Sequence, residues 1–265
     1  MIPKVLVLTG YGINCDMETQ HAFKLAGADA ERVHLTDLIN GAKTLSDYDI
    51  LAFPGGFSFG DDIASGKVLA NMIKYNIGEK IQEFIEAEKL IIGICNGFQA
   101  MVKMGLLPGF NSDYSTQEVT LTFNDSGRFE DRWVHLKKNR NSNCVFTKGI
   151  DGIYLPVRHG EGKFVVKTPQ VLARLKKNDH IVFQYVNEEG NFAGYPSNPN
   201  GSVDNIAAIC DETGRIFGMM PHPEAFQHRT NHPRWTREEL PEEGAGVAIF
   251  RNAVEFVKSE APQSL

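Results

Sequence analysis

The sequence has few cysteines and no excess of positive charge, and both shortages exclude classes of protein. Its four cysteines, Cys15, Cys95, Cys144 and Cys210, are dispersed and form no C-x-x-C pair. This spacing argues against a structural zinc site or a disulfide framework, and three of the four are expected to be small buried hydrophobes. Because the formal net charge is −6, the chain also lacks the basic footprint of a protein that binds nucleic acid.

Long apolar runs and nucleotide-binding loops are missing as well. No run approaches the roughly 18 apolar residues that a membrane-spanning helix needs, which predicts no direct membrane contact. No G-x-x-x-x-G-K-[ST] pattern occurs, so the chain offers no recognisable ATP site. Residues 1–8 carry a lysine and lack a small-residue cleavage site, unlike a signal peptide. A composition of 42% hydrophobic and 23% charged residues is typical of a globular protein, which we expect to be cytoplasmic.

Short apolar runs alternate with helical stretches in the first part of the chain. Strands are predicted over 4–8, 31–35, 49–53 and 90–94, and helices over 16–26, 78–88 and 97–104. This alternation predicts an α/β fold with a doubly wound, mostly parallel sheet. Ligands of such sheets bind at the carboxyl ends of the strands.

The middle of the chain, 111–200, loses helical periodicity and is rich in Asn, Ser and Gly. We predict that its short β-like runs form an antiparallel extension of the sheet. These runs cover 118–123, 133–136, 153–157, 163–166 and 181–186. Two later strands, 206–210 and 215–220, and an amphipathic helix, 246–258, complete a single domain over 1–265. The charged, Asn-rich segment 124–143 is expected to be an inserted flap.

Cys95 occupies a G-x-C-x-G turn between an apolar strand and a helix. This is the sulfur counterpart of the nucleophile elbow, a sharp turn that pushes one side chain out above the sheet. Gly93 and Gly97 would let the backbone pass close to its neighbours in so tight a turn. The positive end of the helix favours a reactive thiolate there. The turn alone is equally compatible with a buried core cysteine, so the other strand ends must decide.

The strand over 49–53 ends in Pro-Gly-Gly, whose backbone N–H groups are unobstructed. In nucleophile-elbow enzymes one oxyanion donor is the N–H after the nucleophile, and the other comes from a neighbouring strand-end loop. Asn96 and Gly56 fit these two roles, and Gly55 precedes Gly56. Because Pro-Gly-Gly is also an ordinary turn sequence, it predicts an oxyanion hole only together with the elbow.

The strand over 215–220 runs into Pro-His-Pro-Glu at 221–224. A cysteine nucleophile needs a base, and the base needs a third group that fixes its tautomer and orientation. His222 fits the base and Glu224 the orienting group. A histidine in a turn is more often structural, but its place at the end of a core strand in the same sheet favours catalysis. Two further candidates are weaker: Gln99 could be a surface residue, and Arg-His-Gly-Glu-Gly at 158–162 a tight turn.

Taken in order, these motifs resemble those of a class I glutamine amidotransferase, a family with a flavodoxin-like α/β fold. The resemblance is carried by G-I-C-N-G-F-Q at 93–99, P-G-G-F-S at 54–58 and P-H-P-E at 221–224. Additional motifs are similar to the family of glutaminase subunits of phosphoribosylformylglycinamidine synthase. They are G-I-N-C-D at 12–16, R-H-G-E-G at 158–162, Y-P-x-N-P-N-G-S at 195–202 and G-M-M-P-H-P-E at 218–224.

The resemblance implies a glutaminase that forms a γ-glutamyl thioester on Cys95, with His222 as base and Glu224 as orienter. It also implies a glutamine pocket, with the oxyanion donors of Gly56 and Asn96, lined by Gly55, Gln99, His159 and Glu161. Ammonia would pass to a separate synthetase subunit, which uses ATP and magnesium to make formylglycinamidine ribonucleotide from formylglycinamide ribonucleotide. A small accessory subunit would be a third component, and no cofactor is implied in this chain.

One departure and two alternatives accompany this resemblance. The chain is longer than compact stand-alone subunits, and segment 124–143 is more similar to the domain fused to the synthetase in the long single-chain enzyme. A γ-glutamyl hydrolase or peptidase-like enzyme on the same scaffold is one alternative. The other is an idle module that only binds a partner, against which the intact set of Cys95, His222 and Glu224 argues.

Overall fold

A nine-stranded sheet carries most of the secondary structure in the computed structural model, which describes residues 1–260. The predicted domain extends to 265, and its last five residues lie outside the described residues. The first half contains β1 (Lys4–Thr9), α1 (Asp16–Leu25), β2 (Asp29–His34), α2 (Leu35–Ile39), β3 (Ile50–Phe53), α3 (Lys67–Glu86), β4 (Leu90–Ile94) and α4 (Asn96–Met104). The second half contains β5 (Val119–Thr122), β6 (Glu130–Lys138), β7 (Gly152–His159), β8 (Lys163–Val166), α5 (Pro169–Lys177), β9 (Ile181–Val186), β10 (Ile206–Cys210), β11 (Ile216–Met219) and α6 (Val247–Glu260).

The strand order of the large sheet is β2-β1-β3-β4-β11-β10-β9-β6-β7. Its first five strands pair in parallel, and the other four extend the sheet in antiparallel pairs. The predicted parallel α/β sheet with an antiparallel extension is therefore confirmed. Strands β3 and β4 are buried at every position, which explains why their sequences are apolar without alternation.

Helices cover this sheet in packed pairs. Phe23 of α1 meets Phe250 of α6 edge to face, with ring centroids 4.9 Å apart. Helix α4 packs against α3 and against β4 and β11. Within the described chain, no helix combines the length and the apolarity that crossing a bilayer requires.

Four sequence-based expectations need correction. The flap expected over 124–143 is wrong for Glu130–Lys138, which forms β6 between β9 and β7 and contains the short β-run predicted over 133–136. The runs near 118–123 and 163–166 do not join the large sheet, since β5 and β8 pair with each other. Helix α3 begins at Lys67, well before the predicted 78. Helix α5 was not predicted, although Thr168 caps it and Pro169 is its first residue.

Candidate active site

Cys95 lies at the junction of β4 and α4 with a backbone conformation that side chains rarely adopt. Its φ is 51° and its ψ −107°, in the region where a non-glycine residue is strained. A methyl group on Gly97 would overlap the carbonyl oxygen of Phe53, and one on Gly93 would lie 3.0 Å from backbone atoms of Gly97 and Phe98. The two flanking glycines are therefore required by close backbone approach, as the elbow pattern predicts.

His222 follows the neighbouring strand, β11, so both side chains come from adjacent strand ends. The N–H of Cys95 donates to the carbonyl oxygen of Met219 at 2.8 Å, which ties the elbow to the end of β11. The N–H of His222 donates to the carbonyl oxygen of Pro156 at 2.8 Å. The backbone of His222 is thereby anchored to β7. Cys95 and His222 are both buried.

The imidazole of His222 is paired with Glu224. Its Nδ1 lies 2.5 Å from Oε1 of Glu224, and both residues are buried. Burial alone lowers the pKa of His222, but the negative charge of Glu224 and the nearby thiols outweigh burial and raise the pKa well above its ordinary value. The pairing therefore fixes the ring and favours its charged form.

The opposite ring nitrogen of His222, Nε2, is buried and has no hydrogen-bond partner among residues 1–260. The thiol of Cys95 instead lies 3.6 Å from the carbonyl oxygen of Arg158, to which it donates. Catalytic hydrogen bonds are often long or poorly aligned before substrate binds. The free Nε2 is consequently the ring atom available to exchange a proton with Cys95.

Gly56 is held in place by an antiparallel bridge to Ile13. That bridge uses the N–H groups of Phe57 and Asn14, which donate to the carbonyls of Gly12 and Gly55, and it leaves the N–H of Gly56 outside the pair. The φ of Gly56 is 151°, and a methyl group there would lie 2.6 Å from the carbonyl oxygen of Gly12. Glycine is therefore needed at this position, and its N–H remains available as a donor.

Asn96 and Gln99 form a buried network rather than two isolated pocket residues. The side-chain oxygen of Asn96 accepts from the N–H of Ser58 at 3.1 Å. Its amide nitrogen donates to Asp61 and to the side-chain oxygen of Gln99, both at 3.0 Å. As the first residue of α4, Asn96 has a backbone N–H that the helix does not need.

Gln99 connects this network to the 158–162 loop. Its amide nitrogen donates to the carbonyl oxygen of Glu161 at 2.6 Å. The carboxylate of Glu161 accepts from the N–H of Ser65, at 3.3 and 3.2 Å to its two oxygens. The structure thus brings Gln99 and Glu161 together, but the oxygen and the nitrogen of the Gln99 amide are both already used within the protein. The predicted role of these two residues toward glutamine stays a prediction.

His159, the last residue of β7, belongs to this loop and is buried. Its Nδ1 is 3.1 Å from Oδ1 of Asn124, and its Nε2 is 3.5 Å from the amide nitrogen of Asn200. Burial, and to a smaller extent the charge of His222, lowers the pKa of His159 to about 3. A neutral, fully engaged imidazole supports the loop, and its predicted contact with glutamine stays a prediction.

Cys15 is the neighbour that sequence reasoning missed. All four cysteines are free and buried, but Sγ of Cys15 lies within 4.8 Å of a ring nitrogen of His222 and of a carboxylate oxygen of Glu224. Burial raises the pKa of this thiol, against the smaller opposing effect of the neighbouring His222 imidazole. The sequence did contain one indication of this proximity. Cys15 follows β1, so it lies at the same edge of the sheet as Cys95.

The chain is similar in sequence to known glutamine amidotransferases. Residues 2–257 match the family of CobB/CobQ-like glutamine amidotransferase domains. Phosphoribosylformylglycinamidine synthase subunit PurQ of Dehalococcoides mccartyi is 51% identical over 256 residues, which cover 96% of this chain and 98% of that protein. The PurQ subunit of Methanococcus maripaludis is 49% identical over 268 residues, covering 97% and 99% respectively.

Solved structures agree with these relatives. A chain in the structure of PurLQS from Thermotoga maritima superposes with a TM-score of 0.72 at 30% identity, covering 97% of this chain and 100% of that one. The glutaminase domain of CTPS from Trypanosoma brucei shares the fold, with a TM-score of 0.53 at 15% identity, covering 97% and 94%. The chain therefore belongs to the glutamine amidotransferase family and, within it, to the PurQ subunits of phosphoribosylformylglycinamidine synthase.

Proposed function

We propose that this chain hydrolyses glutamine through Cys95, His222 and Glu224 and delivers the ammonia to a PurL-type synthetase. The observation that carries the proposal is the buried His222–Glu224 pair at the strand end beside the Cys95 elbow. A pure binding module would have no need of a strained cysteine next to an oriented imidazole. This arrangement also argues against the idle partner-binding alternative.

The chemistry follows from the positions of these groups. The thiolate of Cys95 attacks the side-chain amide carbon of glutamine, and the oxyanion that forms accepts from the N–H groups of Gly56 and Asn96. The imidazolium of His222 gives its proton to the departing nitrogen, which leaves as ammonia. His222 then takes a proton from water, whose oxygen attacks the thioester and releases glutamate. Glu224 holds the ring and stabilises its positive charge throughout.

We propose that the synthetase docks on an exposed apolar rim around the site. The rim is formed by Tyr11, Phe57, Ile63 and Phe129. These side chains are between 45% and 89% exposed, although they are large and apolar. Tyr11 follows β1, and Phe57 and Ile63 follow β3. These three residues therefore lie at the carboxyl ends of the strands, as Cys95 does. Phe129 joins them by packing against Phe57, with ring centroids 6.1 Å apart. Exposed apolar groups around a catalytic site are typical of a protein interface.

The loop after β3 supports control of the activity by that partner. Three of its non-glycine residues, Phe59, Asp61 and Ile63, have φ between 54° and 70°. Such strain persists only where the surroundings enforce it, and it is concentrated at sites that change conformation. Asp61 is bonded to Asn96 at 3.0 Å, so movement of the loop would reach the oxyanion donor. We therefore expect weak glutaminase activity alone and stimulation in the complex.

The test is a glutaminase assay on the isolated chain and on the chain mixed with its synthetase, the small PurS-type accessory protein, ATP, magnesium and formylglycinamide ribonucleotide. We expect glutamate release to rise markedly only in the complete mixture. Leaving out the accessory protein shows whether this longer chain requires it. Full activity by the isolated chain would instead favour the γ-glutamyl hydrolase alternative.

A further inference from the structure

A second group of reactive side chains overlaps the active site without being part of the proposed glutamine chemistry. Sγ of Cys15, a ring nitrogen of His222 and a carboxylate oxygen of Glu224 all lie within 4.8 Å of one another. Cys15 is 8% exposed, His222 2% and Glu224 1%. The three residues come from the β1–α1 turn and from the segment after β11, so two separate parts of the fold position them.

Unused bonding capacity points to a ligand at this cluster. Oε2 of Glu224 and Nε2 of His222 are buried and have no hydrogen-bond partner within the described part of the chain. A buried carboxylate oxygen left without a partner is costly, and most such atoms in proteins are satisfied by protein, water or an ion. The proposed mechanism uses Nε2 but gives Oε2 no task.

We propose that Cys15, His222 and Glu224 bind Zn²⁺, and that the bound metal holds the glutaminase inactive. Thiolate, imidazole and carboxylate are the three ligand types that zinc takes in proteins. Binding displaces the thiol proton of Cys15 and the proton shared between His222 and Glu224, and both protons pass to the solvent. No oxidation or reduction is involved. Water or substrate completes the coordination of the metal.

The enzyme is inactivated because the metal occupies the imidazole of His222. This part of the inference rests on the proposed roles of His222 and Glu224. A metal on Nδ1 separates the ring from Glu224 and leaves the remaining proton on Nε2, which can then no longer accept a proton. The metal on Nδ1 therefore removes both the base and its orienting carboxylate. The binding itself does not depend on those roles.

The first experiment measures binding without any catalytic readout. ZnCl₂ is titrated against the full chain in competition with a chromophoric chelator, and Co²⁺ is used to detect a thiolate-to-metal absorption band. We expect one-to-one binding by the wild type. Cys15→Ser should raise the dissociation constant at least about tenfold, the smallest loss usual even for a metal's indirect partners. It should also remove the thiolate band.

Controls separate this site from the catalytic cysteine. Cys144→Ser, which changes another free and buried cysteine, should bind Zn²⁺ as the wild type does. Cys95→Ala should also retain binding, and melting temperatures check that each variant is folded. Cys15→Ala repeats the test with a smaller side chain. Unchanged affinity in both Cys15 variants, or loss of binding only in Cys95→Ala, would overturn the proposal.

The second experiment measures inhibition. Each variant's glutaminase rate with Zn²⁺ is divided by its own rate in chelator, and Cys15→Ser is expected to resist Zn²⁺ concentrations that inhibit the wild type and Cys144→Ser. Equal sensitivity of all three would overturn the inhibitory role. If Cys95→Ala turned over glutamine normally, the proposed function would fail, while the binding titration would still report on the metal site.

Discussion

Gly55 lies so close to His222 that position 55 has no room for a side chain. A methyl group on Gly55 would be 2.8 Å from Cε1 of His222 and 3.3 Å from Sγ of Cys15. Real Cβ atoms essentially never approach another heavy atom as closely as 2.8 Å, so the imidazole or the turn would have to move. The Pro-Gly-Gly turn therefore helps to position the imidazole as well as to expose a backbone donor.

Replacing Gly55 by alanine should displace the ring of His222 and slow the reaction. Misplacement of a catalytic group by about 1 Å can cost roughly 10²-fold in rate, so we expect a loss of that order in kcat. Gly78→Ala, in α3, is the matched control because a methyl group there meets open space. Equal kcat for both variants, measured by glutamate release, would show that His222 tolerates the displacement.

Glu224→Gln should reduce turnover while leaving glutamine binding close to normal. Loss of an orienting carboxylate costs up to ~10⁴-fold in a related triad, and a thiolate that is already formed should soften the loss. The exposed Glu239→Gln is the control. Unchanged turnover in Glu224→Gln would make Glu224 a structural residue.

The same variant should change the pH dependence of kcat/KM. Glu224 helps to raise the pKa of His222, and the imidazolium must be present to protonate the leaving nitrogen. Activity is therefore expected to fall as the pH rises through the pKa of His222. Removing the negative charge should move this decline to lower pH. A decline at the same pH in wild type and Glu224→Gln would contradict the assignment of the base.

His159 should make the fold sensitive to acid. Its folded pKa of about 3 lies below the usual value near 6.5, so the unfolded chain binds the proton first and stability is lost as the pH falls below 6.5. Between pH 8 and pH 5 the loss from this residue should be about 2 kcal/mol. Over this pH range the free energy of unfolding of His159→Gln should therefore fall by about 2 kcal/mol less than that of the wild type, measured by denaturant unfolding. The exposed His228→Gln should behave as the wild type. Equal pH dependence in all three would contradict the buried neutral state.

The apolar rim should be needed for stimulation and not for folding. Ile63→Asp puts a charge on an 89% exposed side chain at the rim, so it should weaken synthetase binding and the stimulation of glutaminase. Tyr75→Asp is the control, since Tyr75 is 81% exposed but lies on α3. Wild-type stimulation in Ile63→Asp would exclude this rim as the docking surface.

The parallel half of the fold was predictable because its strands are buried on both faces. Strand β4 is apolar throughout, and its end coincides with the glycine-flanked Cys95, so one short segment indicates both a strand and a catalytic turn. The site residues after β3 and β11 followed from the same rule about strand ends. The boundary of α3 was missed because Gly78 resembles a helix start but lies in the helix interior.

The remaining features depend on contacts between distant residues. Strand β6 carries arginine, tryptophan and histidine, and its burial is decided by its neighbours β7 and β9 rather than by its own composition. The proximity of Cys15 to His222 arises only when the turn after β1 meets the end of β11. The use of Gln99 as a link to Glu161 likewise could not be distinguished from a pocket role by spacing alone.

The role of Cys95 as the source of ammonia is tested by comparing two nitrogen donors in the assembled enzyme. Formylglycinamidine ribonucleotide synthesis is measured with wild type and Cys95→Ala, each with the synthetase, the accessory protein, ATP and magnesium, and with either glutamine or ammonium as the nitrogen donor. If Cys95 is the nucleophile that releases ammonia, Cys95→Ala should abolish synthesis from glutamine and leave synthesis from ammonium intact. Full glutamine-dependent synthesis by Cys95→Ala would contradict this role.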